Sequence, residues 1–465
     1  MARIDELFPA DPLAVGAPVG GTPAVGAVGV SPTPPVAPAL LPAAPSVSEL
    51  CQEPFTYLSG PAGTGKTFLA RQIIEERQDA VLCATTGIAA VNLGDATTIN
   101  ALLQYFDTQS LLESYASGRL QTRLRQLRRS GVRILVLDEV SMLDADQLTV
   151  LCQALDEVNI TKTYDASLGE VSYETDDDQE MKLLLCGDFG QLPPVEAAFA
   201  FESPEWHRFR SRTFTLTTVH RQGDLEFVRA LQAVRRGRPR DAVGLLETRM
   251  VQTLDFEFPG TTIVAKNDEV DRINGLRHAK LPGTPLTWKT IRSGEQLKDW
   301  LRLIPEETSV KPGALVMILA NKTYPRADDE PIGDYMYVNG DLGTVVDRHV
   351  GGIRVKLQRT GQEQIVTPVV REWKIPTGLK KTPYTIKGTI SYLPLRLAFA
   401  STTHKSQGLS LDQVQVNLAS WMFSRPGMTY VALSRCRSLE GLRIVGNQKM
   451  FLGKCAVDPK IQEFL

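Results

Sequence analysis

Between Phe55 and about Val195, short apolar runs ending in polar or glycine-rich turns alternate with stretches whose apolar residues recur every three or four positions. Phe55-Thr-Tyr-Leu58, Val81-Leu-Cys-Ala84, the run beginning at Ile134 and Met181-Lys-Leu-Leu-Leu-Cys186 read as buried strands. The stretch that opens Phe68-Leu-Ala-Arg-Gln-Ile-Ile is helical in pattern. This alternation predicts a parallel sheet with helices on both faces. Leu120, Leu124 and Leu127 fall on one face of a predicted amphipathic helix, with Arg119, Arg123, Arg125, Arg128 and Arg129 elsewhere on it. That basic side is either solvated or a nucleic-acid contact. A second unit begins near Phe214, with a helix over 225–236 and strands at Thr262–Ala265 and Leu315–Leu319. From about Asp341 to Tyr392 the pattern changes to short β-prone pieces separated by Gly and polar turns. These pieces predict a small inserted β-barrel, after which α/β patterning resumes at Leu395.

The whole chain has room for two or three domains at 465 residues. Its net charge, 51 − 53 = −2, favours no partner class, so any nucleic-acid site must be a local groove. The six cysteines contain no C-x-x-C pair and the five histidines no H-x-x-x-H. Structural zinc and a disulfide framework are therefore not expected, which suits a reducing cytosol. No apolar stretch reaches membrane-spanning length. A cytoplasmic or nucleoid-associated protein without membrane contact is expected. Residues 9–47 are dominated by Pro, Ala, Gly and Val with Asp11 as the sole charge. They read as a disordered tether, the core of a tail spanning 1–50. Between Tyr164 and Glu180 a polar, acidic insert predicts an exposed loop or hairpin.

Candidate chemistry sits at the strand ends. Gly60-Pro-Ala-Gly63-Thr-Gly65-Lys66-Thr67 follows the first strand and opens a helix, the setting in which this spacing forms a phosphate-binding loop. The glycines let backbone N–H groups curl around phosphate oxygens. Lys66 would reach the β/γ-phosphates and Thr67 would offer its hydroxyl to Mg²⁺. The second strand end delivers Asp138 and Glu139, the first for Mg²⁺ and the second to orient or deprotonate water. The third carries Gln191, an amide able to sense a γ-phosphate without adding charge. Arg221 and Arg435 occupy strand-to-turn positions in the second unit, where they would neutralise charge developing on that phosphate.

With these blocks in order, the chain resembles the superfamily 1B DNA helicases, the group containing RecD, Dda and the petite-integration-frequency helicases. The resemblance runs from about Phe55 to Met450. It rests on Gly60–Thr67, Thr85–Ala90, Ala96–Asn100, Asp138–Met142, Gly187–Pro194, His220-Arg221-Gln222, Thr402–Gly408 and the block Ala432-Leu-Ser-Arg435-Cys-Arg437. It implies two RecA-like domains, placed at 51–212 and at 213–340 with 393–465, and an SH3-like insert at 341–392. ATP with Mg²⁺ would lie between the domains and single-stranded DNA would cross both. The implied activity is 5′-to-3′ movement with unwinding at single-strand/duplex junctions. Gln191 would couple γ-phosphate to DNA, and Arg221 and Arg435 would be arginine fingers. Gln407 and Gly408 would contact nucleotide; Thr86, Thr98, Asn100, Thr402, His404, Lys405 and Ser406 would line the DNA path. Both fingers belong to one chain, so a monomer would suffice.

Two departures stand out. Asn100 replaces the family's usual His, and no helix well upstream of the loop carries an adenine-reading glutamine, Gln52 lying too close. Relaxed base selectivity is expected. Tyr105 and Phe106 are candidates either for a duplex-splitting wedge or for helix packing. A GTPase reading fails because Asn321-Lys-Thr-Tyr324 lacks the guanine-reading acid. A RecD-like motor subunit of a nuclease complex remains an alternative, as does a translocase that does not unwind alone.

Overall fold

The computed structural model describes residues 44–93, 96–165, 170–175, 180–297, 300–301, 304–324, 335–337, 339–376 and 384–465. Residues 1–43 of the tail expected over 1–50, and residues 176–179, lie outside them; Val47–Leu50, expected in that tail, is instead a short helix capped by Ser46, with Val47 and Leu50 buried because both are apolar and pack inward. Residues 44–465 form one compact unit.

The first sheet is parallel throughout, in the order Thr97–Thr98, Ala80–Ala84, Ile134–Asp138, Lys182–Gly187, Phe55–Ser59, Thr213–Thr215. Ile134–Asp138 and Lys182–Gly187 are central and covered on both faces, which is why they read as unbroken apolar runs. The register pairs Ser59 with Gly187 and Ala84 with Asp138, so the phosphate loop, the acid pair and the Gln191 turn leave from one carboxyl edge. Gly187 is required there, since a Cβ would meet Val140 N at 2.9 Å.

The second sheet is also parallel, in the order Ala400–Thr402, Thr261–Val264, Val414–Asn417, Leu442–Val445, Met250–Val251. A separate antiparallel sheet holds Glu363–Val366, Gly352–Leu357, Leu342–His349, Leu315–Ile318 and Leu395–Leu397. Leu315–Ile318, expected before the β-rich stretch, pairs antiparallel with it, Val316 lying opposite Gly343 and Leu397. An apolar run four residues long carries no signal to separate a parallel from an antiparallel partner. A further antiparallel group joins Ile291–Gly294, Tyr384–Tyr392 and Val369–Pro376.

Three sequence expectations are refined. The predicted amphipathic helix is present at Arg119–Arg129, but Arg123 is buried and donates to the Leu102 carbonyl at 2.9 Å. Its stem packs inward while the guanidinium closes a helix end, a use that charge pattern cannot separate from a solvated face. The polar insert forms an antiparallel hairpin of Ile160–Asp165 and Glu170–Thr175. The C-terminal turn Pro459–Phe464, read as second-domain sequence, returns to the first: Phe464 lies 4.8 Å from Phe189 and 4.6 Å from Phe201, centroid to centroid. Arg210–Glu463 and Lys460–Glu202 ion pairs border this aromatic cluster.

Candidate functional site

Gly63 and Gly65 hold φ of +84° and +91°, the left-handed region in which glycine is favoured, and Gly65 caps the helix Lys66–Glu76. Gly63 has a second reason: a Cβ would meet Arg221 Cβ at 2.6 Å, so the second-unit arginine lies directly against the loop. Gly63 O accepts from the backbone N–H groups of His220 at 2.8 Å and Arg221 at 3.3 Å. Lys66 is buried with Nζ donating to Gly60 O at 2.7 Å and Pro61 O at 2.9 Å. Desolvation lowers its pKa, opposed by the charges of Asp188, Glu139 and Asp138.

Thr67 Oγ1 donates to Asp138 Oδ2 at 2.9 Å. The described residues hold no cluster of three potential metal-ligating side chains. A hydroxyl beside one carboxylate nonetheless fits Mg²⁺, which keeps several waters and takes only one or two protein oxygens beside substrate phosphates. Glu139 sits at φ +59°, strained for a side chain with a Cβ, and its backbone carbonyl accepts from Thr85 Oγ1 at 2.8 Å. Burial first, and the neighbouring Asp138 charge second, push the Glu139 carboxyl up to about 7. Asp138 is also raised, chiefly by burial.

The second domain completes this site. Gln407 Nε2 donates to Glu139 Oε2 at 2.9 Å, and a Cβ on Gly408 would lie 3.9 Å from Glu139 Oε1. Arg221 Nη1 donates to Ser434 O at 3.1 Å; burial and then Arg435 push its pKa down to about 9. Arg435 is fully buried, donating through Nε to Val431 O at 2.8 Å and through Nη2 to Ser434 Oγ at 2.7 Å. Two guanidiniums and an ammonium brought together disfavour one another's charge, and a polyphosphate between them relieves that cost. Gln191 Oε1 is buried with no hydrogen-bond partner among the described residues, an acceptor suited to a water proton.

Beneath these groups lies a network that sequence reasoning missed. Asp188, wholly buried, pairs with Arg235 at 2.7 Å and accepts from Tyr430 OH at 3.2 Å. Tyr430 OH in turn accepts from Ala62 N of the phosphate loop at 2.9 Å, and Arg235 Nη2 donates to Phe464 O at 2.9 Å. Asp188 stands in the Gly187-Asp-Phe-Gly-Gln191 turn already singled out, and Tyr430 five residues before Arg435. An acid inside an otherwise apolar strand end was the available signal. Beside Arg221, Gln222 donates to Ser434 O at 3.2 Å and to Cys436 O at 2.8 Å.

The expected DNA-path residues divide between two places. Thr98 ends the strand Thr97–Thr98, with Asn100 after it, and Thr86 follows Ala80–Ala84 in the first domain; Thr402 ends the strand Ala400–Thr402 in the second, followed by His404, Lys405 and Ser406. Thr98 and Thr402 spend their hydroxyl oxygens as helix caps, accepting from Ala101 N at 3.1 Å and Lys405 N at 3.2 Å. Thr86 does the same for Ala89 N. Ser406 is fully buried and donates to Thr403 O at 2.8 Å, so its side chain faces the protein. Asn100 Nδ2 donates to Phe106 O at 3.3 Å. Tyr105 is core and Phe106 is 72% exposed, which removes Tyr105 from the wedge candidates.

Two parallel-sheet domains with a glycine-rich strand-to-helix loop, an acid pair and two arginines gathered beside it define the P-loop fold of the two-RecA-domain kind. A sequence profile of the PIF1-like helicase family matches residues 46–242. The chain is 32% identical over 435 residues to the Homo sapiens ATP-dependent DNA helicase PIF1, covering 88% of this chain and 60% of that protein. It is 30% identical over 430 residues to the ATP-dependent DNA helicase Pif1 of Bdellovibrio bacteriovorus, covering 88% and 87%. Among solved structures, Bacteroides sp Pif1 in complex with ADP-AlF4 superposes with a TM-score of 0.68 at 23% identity, covering 90% and 94% of the two chains. Candida albicans Pif1 gives 0.61 at 26% identity, covering 90% and 96%. The chain belongs to the PIF1-like helicase family, within superfamily 1B. It spans 57–60% of the length of the vertebrate relatives it matches. No helix among the described residues is long and apolar enough to cross a membrane.

Proposed function

We propose that this protein hydrolyses ATP to move 5′-to-3′ along single-stranded DNA and to separate duplex at single-strand/duplex junctions. The observation that carries the reading is the Gln407–Glu139 hydrogen bond, a residue beside the expected DNA path of one domain bonded to the expected catalytic acid of the other. A shift at His404–Ser406 thereby reaches Glu139 through three residues of backbone. In this reading the loop N–H groups and Lys66 bind the β/γ-phosphates, and Thr67 and Asp138 hold Mg²⁺. The metal supplies charge neutralisation and phosphate orientation when bound. Glu139 takes a proton from the attacking water, Gln191 orients that water, and Arg221 and Arg435 offset charge on the transferring group. Removing an arginine finger costs roughly 10³–10⁵ in rate in other P-loop enzymes.

On the DNA side, Thr86, Thr98, Asn100, Thr402, His404 and Lys405 end or follow strands at the sheets' carboxyl edges, and backbone N–H groups and cations there suit phosphate contact without base identity. The capped hydroxyls and inward Ser406 make main-chain contacts the main currency. A division into two RecA-like domains with an SH3-like insert near 341–392 is part of the same proposal; the expected boundary at 212/213 moves past residue 215, because Thr213–Thr215 pairs with Tyr57–Ser59 in the first sheet, and the antiparallel strands from Leu315 onward support a wider insert. Function as a monomer is supported by both arginines coming from this chain.

The test is ATP-dependent strand separation on partial duplexes with either a 5′ or a 3′ single-stranded tail, with Lys66→Ala as control. Unwinding from the 5′ tail alone, lost in the variant, is expected. Unwinding from the 3′ tail would refute the polarity, and DNA-stimulated hydrolysis without separation would leave a translocase.

A further inference from the structure

Trp421 is 62% exposed, yet the turn that carries it is firmly held. Trp421–Ser424 is a 3₁₀ turn leaving the carboxyl end of the strand Val414–Asn417. Ser420 Oγ accepts from Met422 N at 3.3 Å, Lys454 Nζ donates to Ser420 O at 3.0 Å, and Phe423 is fully buried beneath. Thr429 Oγ1 ties Phe423 O at 3.3 Å. An indole presented to solvent by a turn anchored on its inner side is pre-organised at no folding advantage of its own. The Arg425 guanidinium lies over the ring at 5.3 Å and makes no ion pair among the described residues. Its charge is felt at His404, where desolvation by surrounding protein acts first and Arg425 second to lower the imidazole pKa. Trp421 and Arg425 follow Val414–Asn417, and His404 and Lys405 follow Ala400–Thr402; these parallel strands flank Thr261–Val264, so all four residues stand at the carboxyl edge of the second sheet, with Asp271 the acid that acts on Lys405.

We propose that Trp421 and Arg425 form a base-stacking platform for single-stranded DNA, a base lying on the indole while Arg425 and Lys405 meet the flanking phosphates. This rests on the single-stranded DNA reading above. An aromatic face accepts any base, and a neighbouring guanidinium adds attraction to both ring and phosphate. The platform also has a route to the nucleotide. Six residues after Trp421, Gly427 sits at φ +77° against Gln191, where a Cβ would meet Gln191 O at 2.3 Å, and the helix Met428–Leu433 that follows carries Tyr430 and leads to Arg435.

The test measures binding of fluorescent oligothymidylate to the full chain by anisotropy, with Trp421→Ala and Trp421→Phe, alongside a strand of the same length made of abasic sites. Stacking is worth about 1–3 kcal/mol per base, which is roughly a 5- to 150-fold change in affinity. Expected is a loss in that range for Trp421→Ala on oligothymidylate, recovery to within about threefold by Trp421→Phe, and equal binding of wild type and Trp421→Ala to the abasic strand. Equal affinity of wild type and Trp421→Ala for oligothymidylate would overturn the platform while leaving DNA binding intact. An equal loss on the abasic strand, or none recovered by phenylalanine, would also overturn it. A wild-type protein that binds neither strand would instead remove the DNA reading on which the platform stands.

Discussion

Glu139 shows how position rather than residue type sets chemistry. A carboxyl with an ordinary pKa of 4.5 is pushed up to about 7 by burial and by Asp138. As the proposed base, Glu139 is competent only when deprotonated, so activity is expected to fall as pH drops through that value. We expect kcat/KM for MgATP to show an acid limb centred near 7, because that parameter reports the free enzyme's groups. Glu139→Gln should lower kcat by roughly 10²–10⁴ while ATP binding persists; an unchanged acid limb in that variant would assign it to another group. Lys66→Ala should abolish hydrolysis without altering the melting temperature by more than a few degrees. Arg435 is harder to probe, since it also binds backbone carbonyls at Val431, Ser406 and Leu409. Its truncation will cost stability as well as rate.

At the scale of elements, Asp188 joins the Gln191 turn to the helix Leu225–Arg235 and to Tyr430. Breaking a buried ion pair from one side leaves an uncompensated charge, at a cost of about 3–5 kcal/mol. Asp188→Leu and Arg235→Met should each lower denaturation stability by that order, and the double variant by clearly less than their sum. Additive losses in that double-mutant cycle would mean the pair does not act as a unit. Gly427→Ala places a Cβ where Gln191 O lies at 2.3 Å and demands a left-handed backbone. It should prise the second-domain helix away from the Gln191 turn. DNA stimulation of hydrolysis would fall more than hydrolysis without DNA, measured as their ratio; an unchanged ratio would show that this contact transmits nothing.

For the whole molecule, the relaxed base selectivity expected from the sequence predicts that GTP and CTP are hydrolysed with kcat/KM within about an order of magnitude of ATP. Gln52, the nearest candidate for an adenine-reading glutamine, uses its backbone carbonyl to accept from Lys182 Nζ at 2.7 Å. Steady-state hydrolysis across the four NTPs decides this, and a strict ATP preference would mean another residue reads the base.

Legibility in the sequence followed from how local each feature was. The loop Gly60–Thr67, the acids at Asp138 and Glu139 and the alternating strands and helices declare themselves in windows of a few residues, because a buried parallel strand must be apolar throughout and a phosphate loop must be glycine-rich. What only the tertiary structure decided were the pairings between distant segments: Leu315–Ile318 with antiparallel partners, the return of Phe464 to the first domain, Gln407 on Glu139, and Tyr430 between Ala62 and Asp188. The same holds for Arg123 turned inward, Ser406 buried and Trp421 left outside. The reason is physical. Backbone conformation and burial of a strand are dictated by neighbours in sequence, whereas a polar side chain's partner is chosen by whichever distant group the packed domains bring within hydrogen-bonding reach.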